Sequence, residues 1–292
     1  MVSINPIQVL FWTFRRNEQD VVNLYNSLSP VIQIATGGNM LNFGYWNQHT
    51  KNPAEAQREL CVMVANMLEL NSAKDIIDVG SGFSAPAIHW KSMYENLHIT
   101  CVNINFNQLK IPAKIANTNN LASFQDNSIS FVNSTSTTLP FANNCADRII
   151  ALESAQHFKP LTSFIRESKR ILNKDGILVM AIPVVTEETI TSFMKLGILS
   201  LTWSSEHYGL DSVKSTIEKD GFQISDLRMI GKNVYEPLTD YYIQNRNSLR
   251  HKILKEYPSY LENILYKSLL KMKDASQKGI IDYALIKCTL SK

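Results

Sequence analysis

Two short stretches carry the residues best suited to chemistry. The first is "DIIDVGSGFSAPAIHW", residues 75–90, where an apolar run meets Asp78, then Gly80 and Gly82, then a helical pattern. Glycines there let the backbone pass close to a ligand, where a Cβ would clash. The helix that follows points N–H groups at an anionic group. Such a turn suits a nucleotide, and Gly80-x-Gly82-x-x-Ala85 satisfies the loose dinucleotide pattern. A tight strand-to-helix turn that holds nothing has the same spacing. Asp78 tilts the choice, because a carboxylate repels a pyrophosphate but accepts hydrogen bonds from an amine. The second stretch is "ALESAQHFKP", residues 151–160. A histidine such as His157 ionises near neutral pH and suits the removal of a proton from a nucleophile. A loop histidine also packs or caps without catalysis; catalysis is the favoured reading. Glu153 either orients His157 or a substrate hydroxyl, or accepts from backbone N–H groups behind the pocket, and the second is favoured.

These residues need a scaffold, and the chain spells one. Residues 1–36 read as helical, and Gly37, Gly38 and Gly44 then break the pattern. Asn52 reads as an N-cap with Pro53 at the first helical position. Strands and helices alternate from there. "DIIDVG", "HITCVNI", "SISFVNS", "ADRIIALES" and "DGILVMAIP" read as strands, with helices after the first, second and fourth. The helix after the second strand is expected over about residues 108–116. This rhythm predicts an α/β fold: a Rossmann-like, mostly parallel sheet covered by helices on both faces. "SVKSTIEKDGFQISDLRMIG" reads as helix, glycine stop and strand. A long helical stretch over about 238–275 precedes a last strand, "IIDYALIKCTL". An insertion of that length usually covers a site. His157, just after the fourth strand, falls above the carboxyl ends of the strands, where open α/β sheets bind ligands.

Bulk properties exclude several classes. The chain has 292 residues, 45% hydrophobic and 19% charged, which is enough for a large folded core. A net charge of +3 with no basic block argues against a nucleic-acid binder. The four cysteines, Cys61, Cys101, Cys145 and Cys288, are scattered and lack metal-ligand spacing. They read as buried reduced thiols of a cytoplasmic protein, with no metal site. No apolar run approaches the roughly 18 residues of a membrane span. The apolar N-terminus ending in Arg15-Arg16 lacks the charge order and cleavage site of a signal peptide.

Four landmarks in order make the resemblance specific. "DVGSGFSAPAIHW", "LPFANNCADRIIALESAQHF", "RESKRILNKDGILVMAI" and "LNFGYW" resemble the conserved stretches of class I S-adenosylmethionine-dependent methyltransferases. The likeness is to the small-molecule branch, which holds the tocopherol, sterol and sugar O-methyltransferases and the cyclopropane-synthase-like enzymes. It implies a seven-stranded sheet with an antiparallel last strand, N-terminal helices and a helical cap. It divides the chain into an N-terminal helical segment with a cofactor-covering loop (1–70), a cofactor-binding core (71–183), and the rest of the core with the cap and final strand (184–292). It implies S-adenosyl-L-methionine as cofactor, contacted by Tyr45, Asp78, Gly80, Ser81, Gly82, Asn103, Ile104, Gln108, Thr135, Ser136 and Leu152. His157 is then the general base for an alcohol, with Glu153 beside it; relatives that methylate alcohols carry histidine at this place.

The sequence departs from the family at three positions. Asn103 stands where an acid often grips both ribose hydroxyls. Thr135 stands where an acid usually receives the adenine amine, and Ser84 replaces a third glycine. An amide forms weaker hydrogen bonds than a carboxylate, so cofactor affinity is expected to lean on backbone contacts and packing. Trp46, His89 and Trp90 read as packing residues, while His207 and Tyr208 either face the substrate or lie in a surface loop. Phe11, Trp12 and Phe14, with the Tyr- and Leu-rich cap, suggest a closed apolar pocket for a lipid, isoprenoid or polyketide. They equally suit cap packing or a homodimer. The expected activity is methyl transfer to a small, partly hydrophobic molecule, first to oxygen. Methylation of carbon or nitrogen, an inactive partner subunit and a nicotinamide oxidoreductase stay open. Neither nucleic acid nor stable membrane insertion is expected.

Overall fold

A short apolar run needs both faces covered before it is stable as a parallel strand, and the central strands found here are of that kind. In the computed structural model, described over residues 17–118, 128–186 and 194–291 (side chains of 114–118 excepted), one sheet holds seven strands. They are β1 (Asp75–Val79), β2 (His98–Asn103), β3 (Ile129–Asn133), β4 (Ala146–Leu152), β5 (Leu172–Val185), β6 (Phe222–Met229) and β7 (Ile281–Leu290). Their order is β3-β2-β1-β4-β5-β7-β6. β1 runs parallel to β2 and β4, β2 to β3, and β4 to β5, whereas β6 and β7 are antiparallel. In β5 every residue from Gly176 to Val185 is buried, and in β1 every residue from Ile76 to Val79.

The longer helices among the described residues are α1 (Glu18–Thr36), α2 (Pro53–Met67), α3 (Ala85–Met93), α4 (Phe106–Thr118), α5 (Leu161–Ile171), α6 (Leu210–Lys219), α7 (Gly231–Glu256) and α8 (Ser259–Gln277). Their ends follow local chemistry. Asn17 caps α1 by accepting from the Asp20 N–H at 3.0 Å, and Gly37 ends it in the left-handed region at φ 76°. Asn52 caps α2, accepting from the Glu55 N–H at 3.0 Å, with Pro53 first in the helix as expected. The expected helical stretch over 238–275 is built of two helices. Tyr257 precedes Pro258, which drives it to an extended conformation (φ −121°, ψ 149°), so α7 stops and α8 restarts. The helical reading of residues 1–16 lies outside the described residues.

The chain divides into two compact units. The second comprises Leu60–Ile182, Leu210–Met229 and Ala284–Lys292 and holds most of the sheet. Its core gathers Ile76, Val79, Trp90, Ile99, Ile149, Phe164, Val179 and Leu285, all almost fully buried. Trp90 packs there as expected, its indole N–H donating to the Cys61 carbonyl at 2.9 Å. The first unit takes Met1–Glu59, Pro183–Gly209 and Ile230–Tyr283. In it Val31 of α1 packs with Ile253, Tyr257 and Leu261 at the α7–α8 junction. Cys61, Cys101 and Cys288 are buried, but Cys145 is exposed, because it lies in the turn before β4 rather than in a strand. Among the described residues, no helix is long and apolar enough to cross a membrane.

Candidate active site

Strand order reverses at β1, which has β2 on one side and β4 on the other. The crevice outside the carboxyl ends of two such strands is where open α/β sheets take ligands. Within the second unit that crevice holds both candidate stretches, the glycine turn after β1 and the histidine turn after β4.

The glycine turn is tightly held. Gly80 and Ser81 both donate their N–H to the Val102 carbonyl of β2, at 2.8 and 3.0 Å. Gly80 (φ 82°), Gly82 (φ 55°) and Ser84 (φ 56°) are in the left-handed region, which costs little for glycine and more for serine. A Cβ on Gly80 would lie inside the contact distance of Ser154, 2.8 Å from its hydroxyl oxygen. Ser84 caps α3 through its backbone and Pro86 follows at the second position. The helix therefore presents fewer N–H donors than the sequence pattern suggested, because proline has none.

Asp78 is the electrostatic centre of the turn. It is 2% exposed, and its Oδ2 is buried with no hydrogen-bond partner among the described residues. Burial pushes its carboxyl up to about 7. On the neighbouring strand Cys101 pairs with it in register, and burial followed by the Asp78 charge pushes that thiol up as well. A desolvated acid with an oxygen to spare suits a ligand that brings a cationic amine, not one that brings phosphates.

Asn103 ends β2. Its Nδ2 donates to the Gly82 carbonyl at 3.2 Å and to Gln108 Oε1 at 2.9 Å, and its Oδ1 accepts from the Asn105 N–H at 3.4 Å. The amide thus ties β2 to the glycine turn, and Oδ1 keeps one acceptor direction. Asn133 Nδ2 donates to the carbonyls of Asn103 and Ile104 at 2.8 and 2.9 Å. Thr135 and Ser136 follow β3, with the Thr135 hydroxyl 3.1 Å from that of Thr137 and Ser136 buried.

Leu152 ends β4, opposite Ala181 of β5. Glu153 then turns at φ 50°, outside the usual range for a residue with a Cβ. Its N–H donates to the Ala181 carbonyl at 2.8 Å, and its carbonyl accepts from Gln156 Nε2 at 2.7 Å. Residues Ala155–His157 form one 3₁₀ turn, closed by the His157 N–H on the Ser154 carbonyl at 2.9 Å. His157 is half-buried there. Turns that depart from ordinary backbone geometry at a strand's carboxyl end are frequent at functional sites.

The structure thus brings Asp78, Gly80, Ser81, Gly82, Asn103, Ile104, Gln108, Thr135, Ser136, Leu152, Glu153 and His157 into one unit. Tyr45 belongs to the other. There its N–H donates to the Ala56 carbonyl at 2.8 Å, and a Cβ on the preceding Gly44 would meet the Ala56 backbone at 2.7 Å. Trp46 is buried against Tyr241, ring centres 5.7 Å apart. An aromatic group in the same unit links Phe43, Tyr235, Tyr283, Trp203 and His207. His207 stacks on Trp203 and lies 3.1 Å from the Ser200 carbonyl through Nε2. Sequence reasoning passed over Trp203, whose buried indole N–H finds no hydrogen-bond partner among the described residues. It also passed over Ser154. A small polar residue between a strand end and a candidate base was the available signal for the latter.

Comparison with known proteins agrees with this geometry. A methyltransferase domain model matches residues 77–180. The erythromycin 3''-O-methyltransferase of Saccharopolyspora erythraea is 25% identical over 242 residues, covering 80% of this chain and 78% of that protein. Among solved structures, the mycolic acid cyclopropane synthase CmaA1 complexed with SAH and CTAB superposes with a TM-score of 0.77 at 16% identity, over 90% of this chain and 95% of that one. The [4+2]-cyclase SpnF gives 0.75 at 20% identity, over 94% and 96%. The orphaned acid, the glycine turn and the reversed strand order fit the nucleoside-bearing sulfonium cofactor of that domain. Residues 77–180 are a methyltransferase domain, and the chain is an S-adenosylmethionine-dependent methyltransferase of Rossmann-like fold.

Proposed function

We propose that the protein acts in the cytoplasm and methylates a hydroxyl of a small, partly hydrophobic molecule, with His157 as general base. One observation carries the reading: His157 sits in the turn at the end of β4, next to the glycine turn of β1, where the sheet reverses. S-adenosylmethionine, when bound, supplies the methyl group on a sulfonium, from which a neutral thioether leaves readily. The chain's part is therefore alignment, exclusion of water and removal of one proton. Asp78 and the glycine turn would hold the amino-acid end of the cofactor, with Ser81, Gly82, Asn103, Ile104, Gln108, Thr135, Ser136 and Leu152 along the rest. His157 takes the hydroxyl proton as the oxygen attacks. Glu153 holds the turn that carries it.

An O-methyltransferase among the relatives supports oxygen as the acceptor atom. A lipid, an isoprenoid or a polyketide fits. Methylation of carbon is the second reading, favoured by the fold shared with a cyclopropane synthase. The test is transfer of an isotope-labelled methyl group from S-adenosylmethionine to a panel of hydroxylated polyketides, isoprenoid alcohols and unsaturated lipids. Product labelled on oxygen supports the proposal, and product labelled only on carbon or nitrogen rejects it.

A further inference from the structure

Ser154 is 6% exposed and joins the glycine turn after β1 to the histidine turn after β4. The parallel ladder of β1 and β4 ends at Asp78 and Ile150. Beyond it the strands would part, but the Ser154 hydroxyl donates to the Val79 carbonyl at 2.6 Å. That bond joins residues 75 apart in sequence and grips the last residue of β1, immediately before Gly80. The same serine's carbonyl accepts the His157 N–H at 2.9 Å, which closes the histidine turn. Gly80 approaches so closely that no Cβ fits between them, and the Phe158 ring lies 3.6 Å from where that Cβ would stand. Phe158 packs in turn on Phe164 of α5, ring centres 4.9 Å apart.

We infer that Ser154 is a positioning residue: its hydroxyl fixes the cofactor-holding glycine turn, its main-chain carbonyl fixes the turn that carries His157, and one residue thereby sets the distance between the two. The inference needs the cofactor site but not the role of His157 as base. A buried hydroxyl donating to a buried carbonyl resists shear between two turns that no strand pairing joins. Alanine at 154 keeps the turn's backbone bond to His157 and removes the grip on Val79.

The experiment is calorimetric titration of the full chain with S-adenosylhomocysteine, for wild type, Ser154→Ala and Ser154→Cys, with amide hydrogen exchange over 79–84 and 155–158. Loss of one buried hydrogen bond predicts affinity about tenfold weaker in Ser154→Ala. A weak thiol donor predicts an intermediate value in Ser154→Cys, which also serves should the alanine variant not fold. Both stretches should exchange faster together. Unchanged affinity, or faster exchange in only one stretch, overturns the inference. Neither readout involves methyl transfer, so its failure is distinct from a failure of His157 as base. A wild type that does not bind S-adenosylhomocysteine overturns the inference together with the cofactor assignment.

Discussion

Arg170 grips Leu139 across two different parts of the sequence. Its guanidinium donates to the Leu139 carbonyl at 3.0 Å and also to the Phe141 carbonyl and Asn143 Oδ1. Glu167, one turn earlier on α5, accepts the Leu139 N–H at 2.8 Å and pairs with Arg170 at 2.7 Å. The hydrogen bond from Arg170 holds the Glu167 carboxyl below its ordinary value. The "LPF" segment and the "ESKR" helix are thus one clamp, which holds the loop after Thr135 and Ser136.

Replacing that clamp should loosen the loop. Arg170→Lys keeps the charge but loses the fork that reaches two carbonyls and a carboxylate. We expect about 1–2 kcal/mol of lost stability on urea unfolding, with weaker S-adenosylhomocysteine binding. Arg170→Ala should cost more on both counts.

Asp78 should show opposite signs for stability and binding. Its folded pKa, raised to about 7, exceeds the unfolded value, so the native state keeps a proton that the unfolded chain releases. Its contribution to stability therefore falls as pH rises from about 4 to about 7 and levels off above. Asp78→Asn removes that loss. The variant should melt higher than wild type at pH 8 without ligand, yet bind S-adenosylhomocysteine at least about tenfold more weakly. Thermal scans at pH 5 and pH 8, with titrations, check both signs.

Glu262 should behave in the ordinary direction. It is fully buried on α8, accepting from Arg246 at 2.9 and 3.2 Å and from the Tyr242 hydroxyl at 3.2 Å, with Arg250 at 3.3 Å. Burial works to raise its pKa, but the hydrogen bond and charge of Arg246, then Tyr242 and Arg250, outweigh it and lower it. A lowered folded pKa contributes stability above the unfolded value, near 4.3, that is lost as pH falls through the folded one. Glu262→Gln should cost about 2 kcal/mol at pH 7. The gap to wild type should narrow below about pH 4 in denaturant unfolding followed against pH.

The sheet was legible because its signals are local. Apolar runs such as "DIIDV" and "ILVMAI" are what a buried parallel strand requires, and the Asn52-Pro53 start of α2 is written in adjacent residues. The cap was less legible. α7 begins at Gly231 and runs through Pro237, two residues that read as breakers, and its first N–H is satisfied by Asp282 from the far end of the chain, at 2.8 Å. The break at Tyr257–Pro258 was in the sequence, and the rule for residues before proline finds it. In the site, the glycines, Asp78 and His157 stood out by type and spacing. The bond between Ser154 and Val79 did not, because no periodicity announces a contact between residues so far apart. Nor did the sequence show that Asn103 ties its own loop to Gly82 and Gln108.

The most direct test of His157 as the base compares wild type with His157→Ala in labelled methyl transfer to an accepted hydroxyl substrate, across pH 6–9, with S-adenosylhomocysteine binding measured beside it. General-base catalysis predicts unchanged cofactor affinity, turnover lower by about 10²–10⁴-fold, and loss of the wild type's rise in rate with pH near neutrality. Turnover near the wild-type rate in His157→Ala, with the same pH profile, would contradict the account.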